Sequence, residues 1–163
     1  MDRRRGDNAM FDYLTGLLTE KGATFRVIEH PPEGNSQRVA EVRGTTVSQG
    51  AKAMVCRIRG ADFHVIAVVP GDRRVDLKKV ASAVGFSRAR FMAADETVDM
   101  TGCAVGAIPP FPVRPDMRVI VDPELLGRHE DIAFNAGRLD ASIVLATSDY
   151  LRIVEPQVAS ICE

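Results

Sequence analysis

Two stretches of the sequence hold residue types that could do chemistry together. Lys52 leads an apolar run, Ala51-Lys52-Ala53-Met54-Val55, and a rigid segment reads Gly106-Ala107-Ile108-Pro109-Pro110. Gly106 lets backbone approach a ligand with no Cβ in the way, while Pro109 and Pro110 fix neighbouring dihedrals. The N–H groups of Ala107 and Ile108 would then point into a pocket as an oxyanion hole, where each aimed donor is worth about 2.7–4 kcal/mol in the transition state. Lys52 is a cation in its ordinary state; use as a base at pH 7 would require lowering its pKa by about 3 units, a cost of about 4 kcal/mol. Spacing alone leaves it free to be either a solvent-facing strand-end lysine or a partner of the loop.

Other chemistries find little support. No G-x-S-x-G elbow occurs, and Cys56, Cys103 and Cys162 fall in no catalytic signature and form no C-x-x-C pair, so covalent catalysis, a disulfide framework and a structural zinc site are not encoded. His30, His64 and His129 are far apart with no i, i+4 pair, so no metal is expected. His30, beside Pro31, is the one histidine placed near a site. Asp95-Glu96 and Glu130-Asp131 read as helix or turn charges rather than an acid/base pair.

The elements that must position these residues follow from periodicity. Phe11, Leu14, Leu17 and Leu18 predict a helix over Met10 to Lys21, with residues 1–9 as a tail. Thr24 to Glu29 alternates as a strand ended by Pro31-Pro32, and Ser36 to Arg43 predicts a short helix closed by Gly44. Ala51 to Ile58 and Phe63 to Val69 predict a hairpin across Arg59-Gly60-Ala61-Asp62. Its alternation places Ala51, Ala53 and Val55 on one face and Lys52, Met54 and Cys56 on the other. Asp76 is expected to cap a helix to Val84, followed by a strand at Ala89 to Met92 and a helix at Asp95 to Met100. Gly102 to Pro115 holds two glycines and four prolines, too many for a regular element, and is expected to be a loop of restricted shape. Arg118 to Asp122, Asp131 to Phe134 and Ser142 to Leu145 predict strands, Pro123 to Leu126 a helical turn, and Thr147 to Leu151 the start of a last helix. The fold class is α+β, a mixed sheet with short helices around it in a single domain.

A length of 163 residues suits one core. With 45% hydrophobic and 26% charged residues the composition is that of an ordinary globular protein, and no apolar run approaches the roughly 20 residues of a membrane span. The basic start, Arg3 to Arg5, leads into no apolar signal segment, so a cytoplasmic location is expected. A net charge of −1 excludes coating of nucleic acid by bulk electrostatics; DNA and membrane are not expected partners, and RNA would have to be gripped locally.

From about Phe11 to Val154 the chain resembles the YbaK / prolyl-tRNA-synthetase editing-domain family of aminoacyl-tRNA deacylases. The resemblance rests on the lysine leading an apolar strand, the G-x-x-x-P loop Gly106 to Pro110, and the later Asn135-Ala136-Gly137-Arg138, in that order. It implies a barrel-like mixed sheet, an editing domain over 10–163, and a pocket for the aminoacylated end of tRNA faced by the lysine and the loop. On that basis Lys52, Gly106, Ala107 and Ile108 are the catalytic candidates, and Pro109, Pro110, His30, Ser36, Asn135 and Gly137 the substrate-binding ones, with no cofactor and no metal. Lys52 would act as a charged clamp on the terminal phosphate or ribose. Phe111-Pro112 departs from the family, since many relatives carry a glycine there. The implied function is trans-editing of mischarged tRNA in a prolyl-type system, with a synthetase as a second candidate partner. A non-catalytic binding module of the same fold and a small-molecule hydrolase are the alternatives.

Overall fold

The computed structural model describes residues 3–163, with side chains from Ala9 onward. Helix α1 (Arg3–Glu20) turns its Leu14 and Leu18 wholly inward and ends at Gly22, whose φ of 66° suits a residue without a Cβ. The helix therefore takes up most of the stretch expected as a tail, while Met1 and Asp2 lie outside the described residues. Strand β1 (Phe25–Glu29) leads to helix α2 (Ser36–Arg43), capped by the Asn35 side chain, which accepts from the N–H groups of Gln37 and Arg38. A 3-10 turn (Val47–Gln49) then delivers the chain to β2 (Ala51–Ile58), which forms the expected hairpin with β3 (His64–Pro70).

Helix α3 (Leu77–Ala83) is capped by Asp76 as expected, and β4 (Ala89–Phe91) and α4 (Ala94–Thr101) follow. After the Gly102–Pro115 loop come β5 (Met117–Val121), α5 (Pro123–Arg128), β6 (Asp131–Arg138), β7 (Ala141–Ala146), α6 (Thr147–Val154) and the short β8 (Gln157–Val158). Helix α6 starts without a side-chain cap, although Thr147 and Ser148 are residue types that cap helices; Thr147 instead donates to the His129 carbonyl at 3.0 Å.

The strands form two sheets rather than a barrel. One is antiparallel, in the order β1-β7-β6; the other is mixed, in the order β4-β2-β3-β5-β8, with β3, β5 and β8 parallel. Among the described residues the two sheets meet through a single parallel bridge, Gly50 to Ala133. The larger sheet is buried on both faces, which is why β3 reads as the nearly unbroken run Val65-Ile66-Ala67-Val68-Val69. One face, with Ala53, Val55 and Val68, packs into a core shared with α1, the smaller sheet and the loop. The other, with Cys56, Val65 and Ile120, packs on Val80 of α3 and on Ile161. The alternation expected in β2 is thus realised as two separate cores.

Candidate active site

A small pocket of about 120 Å³ opens where the two sheets meet, and both Gly50 and Ala133 of the bridge line it. The start of β2 brings Lys52 to it, α2 brings Ser36 and Arg43, β6 brings Asn135, and the Gly/Pro-rich loop brings Gly106 and Ile108. Lys52 and the loop, which spacing alone could not bring together, therefore share one cavity.

The loop is pinned rather than mobile in design. Gly106 has a φ of +91°, and a Cβ there would lie 3.0 Å from both Cα and the carbonyl oxygen of Gly34, so two backbones touch where a side chain cannot fit. Asn135 Nδ2 donates to the carbonyls of Gly106 at 2.8 Å and Glu33 at 2.9 Å, tying the loop to the segment ahead of α2. With the amide oriented in this way, Asn135 Oδ1 faces Arg43 Nη2 at 3.1 Å and the Ser142 hydroxyl at 3.0 Å. Ser142 Oγ accepts in turn from Arg43 Nε at 2.8 Å. These buried groups form one polar network in which the Asn135 amide and the Ser142 hydroxyl find partners, as buried amides and hydroxyls require.

The expected site residues separate into two layers. Lys52, Gly106, Ile108, Ser36 and Asn135 line the pocket. Ala107 faces the core, its N–H already given to the Ala104 carbonyl at 2.9 Å and its own carbonyl accepting from Gly137 at 3.0 Å; it offers no oxyanion donor. The N–H groups of Gly106 and Ile108 make no hydrogen bond among the described residues. Pro109 and Pro110 are buried behind the loop, where the Pro110 carbonyl accepts from the Tyr150 hydroxyl at 2.6 Å. Gly137, with φ +80°, packs its Cα face on Met10 and stays outside the pocket. His30 is also behind it: Nδ1 sits 2.9 Å from the Pro31 carbonyl, which can only accept, and Nε2 sits 2.7 Å from Ser142 Oγ. Phe111, expected to depart from the family, is buried against the rings of Phe134 and Tyr150, with centroids at 5.7 and 5.6 Å, and does not line the pocket.

Sequence reading missed Arg43 and Arg74. Arg43 ends α2 before a glycine, a place where a basic residue ordinarily complements the helix dipole at the surface, yet it is only 7% exposed. Burial pushes its pKa down to about 10. Lys52 is half-buried, with its Nζ donating to the Arg73 carbonyl. Burial, and next the charge of Arg74, lower its pKa from the ordinary lysine value, against smaller opposing effects of Cys162 and Asp72. Lys52 and Arg74 thus form a pair of neighbouring cations. Asp122, Glu124 and Cys162 come close enough to suggest a metal site, but both Asp122 oxygens already accept backbone N–H groups, from Glu124 at 2.8 Å and from Ile161 and Cys162 at 2.8 and 3.0 Å.

The site is a small pocket between a lysine and a glycine-proline loop, set where the two sheets of a mixed α+β domain meet. The family model for the aminoacyl-tRNA editing domain matches residues 30–153, and the chain belongs to that family. It is 44% identical over 149 residues to the multifunctional Ser/Thr-tRNA deacylase ProXp-y of Escherichia coli (strain K12), an alignment covering 90% of this chain and 89% of that one. It is 25% identical over 142 residues to the prolyl-tRNA editing protein ProX of Acetoanaerobium sticklandii, covering 85% and 86%. A solved structure described as a candidate trans-editing enzyme for prolyl tRNA synthetase superposes with a TM-score of 0.80 at 25% identity, covering 94% of this chain and 97% of that one. Among the described residues no helix is long and apolar enough to cross a membrane.

Proposed function

We propose that the chain is a free-standing aminoacyl-tRNA deacylase, which hydrolyses the ester joining a wrong, small amino acid to the terminal ribose of a tRNA. The observation that carries this reading is the convergence of Lys52, Gly106 and Ile108 on one small pocket in a chain of the editing family. The names of its relatives point to Ser/Thr-tRNA and to the prolyl system. The need for such an activity is physical. A hydrophobic synthetase pocket separates acyl groups differing by one methylene by only about 1–3 kcal/mol, so a second site of different shape must remove the errors.

The chain's own groups suit a binding and orienting role. Lys52, with Arg74 beside it, supplies positive charge at the mouth, where the last phosphate or the ribose of the tRNA end would sit. The acyl group enters the pocket and sets its ester carbonyl against the N–H groups of Gly106 and Ile108, which Asn135 holds in place through the Gly106 carbonyl. Water, oriented with help from a ribose hydroxyl, adds to the carbonyl; the acyl–oxygen bond breaks, and free amino acid and uncharged tRNA leave. The protein forms no covalent intermediate in this scheme. The tRNA end is the main partner and a synthetase the second, which puts the reaction in the cytoplasm.

A panel of tRNAs charged with serine, threonine, alanine or cysteine, each with a no-enzyme control, tests the reading. Ester loss above the control for at least one small acyl group is expected. Ester loss at the control rate for all of them would overturn it and favour a non-catalytic binding module.

A further inference from the structure

Arg43 is a buried cation without a carboxylate. Nε is given to Ser142 and Nη2 to Asn135, both neutral groups, and no ion pair reaches it among the described residues. A guanidinium carries five N–H donors and no acceptor, and leaving them unmet in a buried place is costly. Arg43 Nη1 makes no hydrogen bond among the described residues, and the side chain lines the pocket. The space beside Nη1 is kept open by Gly50, where a Cβ would stand 3.8 Å from that nitrogen.

The neighbours cannot take up these donors. Asn135 Nδ2 is turned to Glu33 and Gly106, its Oδ1 already receives Arg43 Nη2 and faces the Ser142 hydroxyl, and the single proton of that hydroxyl is contested by Oδ1 and by His30 Nε2 at 2.7 Å. The remaining floor is apolar, with Val39, Ala51, Ala53 and Ala133 all buried. Inside the pocket the structure therefore presents a charged group whose Nη1 meets no acceptor among the described residues, beside buried hydrocarbon.

The shape of the cavity says which part of a substrate reaches it. Lys52, Ser36 and Val105 at the mouth are partly exposed, whereas Arg43 and Asn135 are buried. The acyl group is the end of the substrate, and a pocket of about 120 Å³ suits a small acyl side chain. An α-ammonium group would be repelled by the guanidinium, so the acyl side chain, rather than the amine, is turned toward it.

Resting on the deacylase reading above, we infer that Arg43 is the specificity residue of this site and that its free Nη1 reads a hydroxyl oxygen on the acyl side chain, selecting threonine esters over those of its apolar isostere valine, and serine esters over those of alanine, which lacks the hydroxyl. The selection is chemical rather than steric. Threonine and valine fill the same volume, so size exclusion cannot separate them, whereas a site built to hydrogen-bond a hydroxyl rejects a ligand lacking it by large factors because its donor is left unpaired.

The test compares kcat/KM for one tRNA carrying each of the four amino acids, with wild-type protein and with Arg43→Met and Arg43→Lys. Wild type is expected to favour threonine over valine and serine over alanine by at least about a hundredfold. Arg43→Met, which keeps an unbranched apolar stem but no donor, is expected to bring the threonine-to-valine ratio toward one, and Arg43→Lys to restore it in part. A purely structural role would lower all four rates together and leave the ratios standing, and that outcome would overturn the inference. The wild-type arm needs no variant to fold: equal rates on threonyl and valyl esters would overturn it as well. Absence of hydrolysis with every ester would instead overturn the deacylase reading, and the inference with it.

Discussion

Lys52 meets opposed demands, a charge suited to the tRNA end and surroundings that disfavour charge. Burial and Arg74 lower its pKa, so on raising the pH its cation is lost earlier than that of an ordinary lysine, near about 10.4. In the proposed mechanism the charged form is the working one, so enzyme-dependent kcat/KM, corrected for spontaneous ester loss, is expected to fall as pH rises through that lowered pKa. Lys52→Arg keeps its charge at all accessible pH and should move the fall upward; coincident profiles for the two proteins would show that the charge is not what the site uses. Gly106 offers a second test at this scale. A Cβ there meets the Gly34 backbone at 3.0 Å in a left-handed conformation, so Gly106→Ala is expected to cost about 1–3 kcal/mol in a thermal melt and more than tenfold in activity. In Gly137→Ala the added Cβ instead meets the flexible Met10 side chain at 2.5 Å, outside the pocket, and a similar loss of stability should come with a smaller loss of activity. Gly106 was legible from its residue type ahead of two prolines, whereas Lys52 was legible only through the family resemblance, since its spacing equally fits a solvent-facing lysine. Arg43 was not: its role depends on burial and on long-range contacts with Asn135 and Ser142, which helical spacing does not reveal.

At the scale of elements, short helices hold the site and their caps decide how firmly. Asn35→Ala removes the acceptor for two N–H groups at the start of α2 and is expected to cost about 1 kcal/mol, with a rise in KM because α2 carries both Ser36 and Arg43. Asp122 caps α5 and also receives the N–H groups of Ile161 and Cys162, tying the C-terminus to the core. Burial works against its ionisation, but these N–H groups prevail and hold its pKa below the usual aspartate value. Its folded pKa being depressed, its contribution is present above the unfolded pKa of about 3.9 and is lost as pH falls through the folded value. The acid limb of a stability profile should accordingly be shallower for Asp122→Asn than for wild type; parallel limbs would contradict this. Helix α2 and the β2–β3 hairpin were readable because Gly44 and the Arg59-Gly60-Ala61-Asp62 turn mark their ends locally. Strand β6 was expected to stop at Phe134. It runs on to Arg138 through a register shift, the amide being satisfied inside the buried network and the glycine supplying the positive φ. The early turns of α1 escaped notice because no apolar stripe precedes Met10.

For the whole molecule, the two sheets pair with each other only at Gly50–Ala133 among the described residues, and that junction is where the pocket lies. Local periodicity shows how each strand alternates but not which sheet it joins, so a mixed α+β class was readable and the division into two sheets was not. Net charge acts at this scale too. With a value of −1 and cations gathered at Lys52 and Arg74, binding should involve few phosphates. The log–log salt slope for a non-hydrolysable, amide-linked aminoacyl-tRNA is expected to be about −1 to −2; a slope steeper than about −5 would mean that the tRNA body is held as well. The most direct test of the account is single-turnover deacylation of a seryl- or threonyl-tRNA by wild type and by Lys52→Ala of equal melting temperature. The account predicts ester loss well above the blank for wild type and a decline of at least about a hundredfold for the variant. Equal rates for the two proteins would contradict it.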